Sequence, residues 1–403
     1  MDNFHIRMDK ILMSLNLNSL KILTKFTAQN NAMRLRFLLL IFLFLIFKTS
    51  AQTHTNFYQK IIDSVYEKNP EMIGVLVHIE SPKISWSYAK GFDGKNSKQN
   101  LNAQQPMLIA STTKTFMAAT ILRLAEKGKL NINQNIKNLI TETSRNQLTK
   151  AGYNLDSITI RHLLSHTSGI RDYVDEGYFN FINENKKHQW TRTEQVERAA
   201  KLGLPLGKPG TIFRYADINY VLLSEVIEHF TKESFYTSVR KLLKFKENHL
   251  NNTWFIQLEK QPENTLPLVN QYWSHFNWNI KDLNPSWDLY GGGGLASNVE
   301  DMARFYQLLF RGKIIKNKDI LKLMSTDVPP DLTTNYCLGI RKIKVGNIIG
   351  YNHGGGLGTD ATYFPELNTT ISIASVEADK RNVVLQMRDL LVKRLKKESV
   401  KSF

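Results

Sequence analysis

The sequence predicts an α+β fold: an antiparallel sheet flanked by helices, built from both chain ends, with a mostly helical second part between them. Three observations predict it. Short apolar runs at 73–80 and 84–91 read as paired strands near the N-terminal end. Residues 130–280 carry helical segments and long loops but little strand pattern. Strand-like runs then return at 337–350 and 369–376, followed by a basic amphipathic helix at about 380–398. The boundaries implied are a segment 1–51 to be removed, an α/β part from 52–128 plus 285–403, and a helical part at 129–284. With 403 residues, 42% of them apolar, the chain can bury a sizeable core.

Each element has its own justification. The runs IGVLVHIE and ISWSYAKG flank Ser81-Pro82-Lys83, a turn composition. Residues 111–127 place Phe116, Met117, Ala119, Ile121, Leu122 and Leu124 at helical spacing, and Gly128 ends the run. Residues 218–231 (INYVLLSEVIEHFT) form a second amphipathic helix. Gly291–Gly294 precede a third, near 298–311. There is no internal repeat and no low-complexity linker.

Composition removes several classes. The single Cys337 excludes an intramolecular disulfide framework and a Cys-based zinc site, and is expected as a packed small hydrophobe near a strand. Residues 33–51 (MRLRFLLLIFLFLIFKTSA) form a secretory signal pattern: Arg34 and Arg36, an apolar stretch from Phe37 to Phe47, and Thr49-Ser50-Ala51 before Gln52. The apolar stretch is short for a span, so an uncleaved anchor is the lesser reading. Met33 is a candidate true start. No cysteine directly follows the apolar stretch, which argues against a lipoprotein anchor. Export to the periplasm or medium is the expectation. The formal charge is +17; removing the net +5 of residues 1–51 leaves +12, concentrated toward 393–403 with five basic residues and one acid. That tail reads as a solvated helix end, and export argues against a nucleic-acid partner.

Several motifs lead nowhere. His353-Gly354-Gly355-Gly356 matches the oxyanion strip of lipase-type hydrolases, but the G-x-S-x-G elbow of that fold is missing. Gly291–Gly294 with Leu295-Ala296 lacks the strand–turn–helix setting of a dinucleotide loop. His162 and His166 have the i, i+4 spacing of zinc ligands but no H-E-x-x-H glutamate, so a structural role is expected.

Ser-x-x-Lys is the serious pattern, and it occurs at Ser87/Lys90, Ser111/Lys114 and Ser238/Lys241. In a strand, side chains three apart point to opposite faces, which removes Ser87/Lys90. Ser238 and Lys241 lie in a polar helical stretch and read as surface. Ser111 and Lys114 open a helix, where i and i+3 share a face. A serine needs a nearby base to act as nucleophile. The helix N-terminus and burial both disfavour a charged lysine, so a neutral or proton-sharing Lys114 is expected to help deprotonate Ser111. The Ser111 N–H, at the helix start, is placed to face a developing oxyanion. Tyr215-Ala216-Asp217 precedes the helix at 218–231; the tyrosine is a candidate phenolate or proton relay, and Asp217 is a candidate either for the site or for a helix cap. His353-Gly354-Gly355 follows an apolar run, and its glycines would let a substrate lie along a strand edge.

The order Ser-x-x-Lys, Tyr-x-Asp, His-x-Gly resembles the serine β-lactamase and penicillin-binding family. The branch it resembles holds class C β-lactamases, D-alanyl-D-alanine carboxypeptidases and related esterases. Ile158–Ile170 (ITIRHLLSHTSGI) is similar to the family's segment after the nucleophile helix. Pro209–Tyr215 (PGTIFRY) resembles its lead into the tyrosine motif, and Gly293–Ser297 with Asp301–Arg304 resembles another shared block. Together the blocks span roughly residues 60–395.

The resemblance implies an acyl-enzyme on Ser111, with Lys114 and Tyr215 sharing proton transfer. It implies an oxyanion hole from the Ser111 and Gly356 N–H groups, a third motif at His353 and Gly355, and no metal or organic cofactor. It also implies the β-lactamase/transpeptidase-like sheet and helical domain. Departures bear on substrate. Asp217 stands where the family often has Asn and can only accept when ionised; near Lys114 it favours a charged lysine and moves the base role toward Tyr215. His353 and Gly354 replace the usual Lys-Thr, weakening the grip on a substrate carboxylate. The expectation is therefore an exported serine hydrolase of D-amino-acid peptides or esters, on a small-molecule or cell-wall peptide substrate. A class C-like β-lactamase is the alternative, and a catalytically inert cell-wall peptide-binding protein is the alternative of another class.

Overall fold

The computed structural model describes residues 57–326 and 334–401. The expected signal segment, its cleavage site and the Met33 start lie outside the described residues. The strands in chain order are β1 Gly74–Glu80, β2 Ser85–Gly91, β3 Met107–Leu108, β4 Trp254–Phe255, β5 Tyr272–Trp273, β6 Trp278–Asn279, β7 Leu295–Ser297, β8 Arg341–Val345, β9 Ile348–Gly354, β10 Thr359–Phe364 and β11 Thr369–Ser375. Residues 61–403 form one compact unit.

The main sheet has the order β2-β1-β11-β10-β9-β8, every neighbour antiparallel. β1, from one chain end, therefore pairs with β11, from the other. The β1–β2 hairpin closes where the Ser81 N–H donates to the Ile84 carbonyl at 2.7 Å. The run expected at 337–350 divides into β8 and β9, and β10 was not expected at all. Its Thr359, Asp360 and Thr362 are buried but satisfied. The Asn352 amide donates to Asp360 at 2.8 Å and to Thr362 at 2.7 Å. A buried strand with satisfied polar side chains shows no apolar pattern to read.

Four helices matter for the site: α1 Thr113–Glu126, α2 Ile218–Thr231, α3 Val299–Phe310 and α4 Arg381–Lys401. α3 packs on β1, β10 and β11, and α4 packs on β8, β10 and β11. They cover opposite faces. Gln307 of α3 accepts from Thr370, whereas Arg388 of α4 pairs at 3.1 Å with Asp360, whose side chain projects from the other face. The C-terminal helix is more than a solvated end: its own Val384, Met387, Leu391, Val392 and Leu395 are buried.

The middle of the chain holds the helices Glu142–Lys150, Ile160–Leu164, Glu176–Glu184 and Arg192–Lys201, then α2 and Phe235–Leu242, with the short β4 to β6 after them. Thr141, Thr159, Asp175 and Thr191 each cap a helix by accepting a backbone N–H of its first turn, which explains where those four begin. His162 completes the cap at Thr159, accepting that residue's N–H on Nδ1 at 3.2 Å. It is structural, as expected. Trp190, Trp278 and Trp287 belong to the core. Cys337 is buried in it too. Among the described residues no helix is long and apolar enough to cross a membrane, and no acidic, histidine or cysteine group could hold a metal ion.

Candidate active site

The three-stranded sheet β3-β7-β4 and the main sheet meet around the turn that carries Ser111. That serine lies in a single 3-10 turn, Ala110–Thr112, running into α1. Ala110 has φ 45°, a left-handed conformation that a non-glycine residue adopts at a cost. The turn is strapped on both sides. The Ile109 N–H donates to Leu295 of β7 at 2.9 Å, and the Thr359 hydroxyl of β10 donates to the Ile109 carbonyl at 3.0 Å.

Helical spacing puts Lys114 directly under Ser111. Its Nζ donates to Ser111 Oγ at 3.0 Å and to the Gly292 carbonyl at 2.5 Å, and it lies 2.6 Å from Asp217 Oδ1. Lys114 is completely buried. Burial works against its charge, but the Asp217 carboxylate and the Tyr215 phenol outweigh it and hold its pKa above the ordinary value. The neutral lysine expected from the helix terminus and burial is therefore replaced by an ammonium. Asp217 is the reason: it stands at the N-cap position of α2 but makes no capping bond, and its side chain turns to Lys114 instead.

The other two Ser-x-x-Lys pairs fall away for different reasons. Ser87 and Lys90 are on β2, with Lys90 3.3 Å from Asp63. Ser238 is buried rather than on the surface, donating to the Thr231 hydroxyl at 2.8 Å, while the exposed Lys241 pairs with Glu233.

Tyr215 hydrogen-bonds both Ser111 and Lys114. Burial raises its pKa, Lys114 lowers it and Asp217 raises it; the net is upward, so the resting phenol keeps its proton. The His166 ring lies 4.2 Å from the Tyr215 ring, and its Nδ1 accepts from the Ala216 N–H at 3.2 Å and the Asn219 amide at 3.1 Å. Burial first, then Lys114 and Arg341, depress the pKa of His166 far below the usual value, so it is neutral.

His353 ends up beneath this cluster. It is fully buried on β9; Nδ1 donates to the Gly354 carbonyl at 3.0 Å and Nε2 accepts from Tyr336 Oη at 3.0 Å. Burial first, then Arg341 and Lys114, keep it neutral. Its ring nitrogens therefore face Tyr336 and Gly354, not Ser111. The cleft cation near the third motif comes from a different residue: the Arg341 guanidinium lies 5.2 Å over the Tyr215 ring and 5.1 Å over the Tyr336 ring.

Gly355 is packed against the nucleophile turn; a Cβ there would lie 2.3 Å from the Ile109 carbonyl and 2.4 Å from Thr359 Oγ1. Its N–H is taken by the Thr359 carbonyl at 2.8 Å. Gly356 is exposed, with open space where a side chain would begin. On the opposite wall, a Cβ at Gly293 would meet the Asp288 carboxylate at 2.2 Å. Burial, then Asp217, push the Asp288 carboxyl up to about 8, against the pull of Lys114. Burial and Asp217 also raise Asp172, whose Oδ1 accepts the Ile218 N–H at 3.3 Å.

Sequence reasoning missed Gly292, Asp172, Asp288, His166, Tyr336 and Arg341 as parts of this site. The glycine run did carry a signal, since four glycines before a helix suggest close backbone approach. The rest had none, because each meets its partners only through tertiary packing.

The comparisons with known proteins bear on family and fold. The family model for Beta-lactamase matches residues 62–391. Protein flp of Staphylococcus aureus (strain MRSA252) is 30% identical over 208 residues, a match covering 50% of this chain and 39% of that protein's length. The D-amino acid amidase of Ochrobactrum anthropi SV3 shares the fold at a TM-score of 0.70 and 19% identity, over 85% of this chain and 99% of that one. EstCE1, described as a hydrolase with promiscuous acyltransferase activity, gives a TM-score of 0.68 at 18% identity, over 83% and 98%. With a family model matched over most of its length, this chain belongs to the Beta-lactamase family of serine hydrolases.

Proposed function

We propose that the chain hydrolyses amide bonds of D-amino-acid peptides through an acyl-enzyme on Ser111. The observation that carries this is the buried Lys114 ammonium, 3.0 Å from Ser111 Oγ and held by Asp217 at 2.6 Å. Such a fixed cation lowers the cost of negative charge on Ser111 Oγ and on the Tyr215 oxygen. As Ser111 Oγ bonds to the carbonyl carbon, its proton passes to Tyr215, which hands its phenol proton to the leaving nitrogen. The amine departs and acyl-Ser111 remains. Water then attacks; its proton goes to Tyr215, the phenol proton returns to Ser111 Oγ, and the acid is released. The N–H groups of Ser111 and Gly356 are the proposed oxyanion donors.

Arg341 supports a substrate that carries a carboxylate, since it supplies a cation where His353 is neutral. The stereochemistry rests on the name of the Ochrobactrum amidase. A second reading, ester hydrolysis, is favoured by Gly354, which offers no hydroxyl to an amide substrate, and by the likeness to EstCE1. Export through residues 33–51 would bring the site to cell-wall peptides.

The test is hydrolysis of D-alanyl-D-alanine peptides, their L-counterparts and aryl esters, with the intact mass of the protein followed after exposure to benzylpenicillin. D-peptide hydrolysis that disappears in Ser111→Ala supports the proposal. Ester hydrolysis alone selects the second reading, and rapid penicillin turnover selects a β-lactamase. Any hydrolysis that survives Ser111→Ala unchanged removes Ser111 as its nucleophile.

A further inference from the structure

A second serine contacts a histidine at the far edge of the main sheet. Ser87 on β2 and His78 on β1 are direct cross-strand partners. The ladder is hydrogen-bonded at Ser81–Ile84 and again where the Phe92 N–H meets the Ile73 carbonyl at 2.9 Å. Counting the alternation between them makes 78–87 a non-hydrogen-bonded pair. Its side chains are therefore close, and the Ser87 N–H points outward from β1. β2 is an edge strand, so that N–H faces away from the sheet.

His78 Nδ1 is 2.6 Å from Ser87 Oγ, and His78 Nε2 is 2.8 Å from Glu80 Oε2. A carboxylate only accepts, so Nε2 carries a proton, and in the neutral imidazole Nδ1 then offers its lone pair to the Ser87 hydroxyl. The Ser85 hydroxyl adds a bond to the same Glu80 oxygen at 3.2 Å. Nucleophile, base and orienting carboxylate thus form one chain of contacts. His78 is buried, at 1% exposure, while Ser87 is only half-buried.

The surroundings point the same way. Ser372, the partner of His78 on β11, is fully buried, and its hydroxyl has no hydrogen-bond partner. A file of polar side chains on the sheet face that α3 covers is a local conflict with core packing. The same row runs from Ser87 through His78, Ser372 and Ala361 to His353. Four strand steps separate its ends by about 19 Å, so Ser87 lies well away from His353.

We propose that Ser87, His78 and Glu80 form a second acyl-accepting site, for activated esters at the β2 edge. Ser87 Oγ bonds to the acyl carbon while its proton moves to His78 Nδ1, and the bond from the acyl carbon to the aryloxy oxygen breaks. The phenolate leaves and takes up the imidazolium proton. Water, deprotonated by the same Nδ1, then attacks the acyl carbon; the bond to Ser87 Oγ breaks, the imidazolium proton returns to that oxygen, and the acid is released. The Ser87 N–H is one outward donor rather than a pair, so the site requires a good leaving group.

The test uses the Ser111→Ala protein with p-nitrophenyl acetate and an aryl fluorophosphonate, the adduct being located by peptide mass mapping. A single slow adduct on Ser87 is expected. Ser87→Ala in that background should abolish it, and His78→Gln should slow it by about 100-fold or more. Glu80→Gln, a milder change at a partly exposed position, should also slow it with the thermal midpoint retained. Ser87→Ala alone should leave hydrolysis at Ser111 unchanged. No adduct on Ser87 in folded Ser111→Ala protein would overturn the proposal, as would labelling that proceeds equally fast in Glu80→Gln.

Discussion

Replacing Asp288 by Asn should stabilise the protein, and more so as the pH rises. In the folded chain the Asp288 carboxyl is pushed from 3.8 up to about 8, by burial and then by Asp217. Below about 3.8 it is protonated in both folded and unfolded chains and carries no pH dependence. Between 3.8 and about 8 the unfolded chain gives up a proton that the folded chain retains, so stability falls as pH rises. Above about 8 the loss is complete. One pKa unit is about 1.4 kcal/mol, so the loss by pH 7 has a ceiling of about 4 kcal/mol. Asp288 is partly exposed at the cleft, and solvent screening reduces this to about 2 kcal/mol. Asn keeps the shape that fits against Gly293 and removes the charge. Urea denaturation at pH 4, 7 and 8.5 measures the effect. The variant should match the parent at pH 4 and exceed it by about 2 kcal/mol at pH 7 and about 3 kcal/mol at pH 8.5, with a smaller slope remaining from Asp172, which is raised by the same causes. An equal gain at every pH, or a loss at pH 8.5, would refute the reasoning.

Other changes probe the chemistry. Tyr215→Phe should lower kcat by about 10²–10⁴-fold with the fold retained, because the relay proton is gone; steady-state kinetics and a thermal midpoint separate the two. Asp217→Asn removes what holds Lys114 charged and part of what raises Tyr215. Both pKa values should fall, and the alkaline limb of the pH–rate profile should move to lower pH; an unmoved limb contradicts the ion-pair account. Arg341→Gln should raise KM about tenfold for substrates with a free carboxylate, a loss of about 1.4 kcal/mol, and leave neutral esters unaffected. Gly355→Ala places a methyl 2.3 Å from the Ile109 carbonyl, so it should displace the Ser111 turn and lower kcat on every substrate.

The residue pattern alone determined the parts that local rules control. Apolar runs marked β1, and Ser81-Pro82-Lys83 marked its hairpin with β2. Periodicity marked α1, α2 and α3, and helical spacing singled out Ser111 with Lys114. Tertiary structure decided what depends on distant partners. β10 was invisible because Asp360 and Thr362 are satisfied by Asn352 and Arg388 rather than replaced by apolar side chains. For Lys114 the helix terminus and burial alone pointed to a neutral amine, whereas Asp217 pointed to an ammonium; the fold decides for the ammonium by bringing Asp217 within 2.6 Å, where its pull outweighs burial. Arg341, His166 and Tyr336 reach the site only because strand register and helix packing aim them there. The hydrogen-bonded Ser87, His78 and Glu80 likewise exist only in the register that β1 and β2 adopt. Backbone propensity acts over a few residues and can be read along a chain. Electrostatic environment and register are set by groups brought together on folding, and no spacing in the sequence encodes them directly.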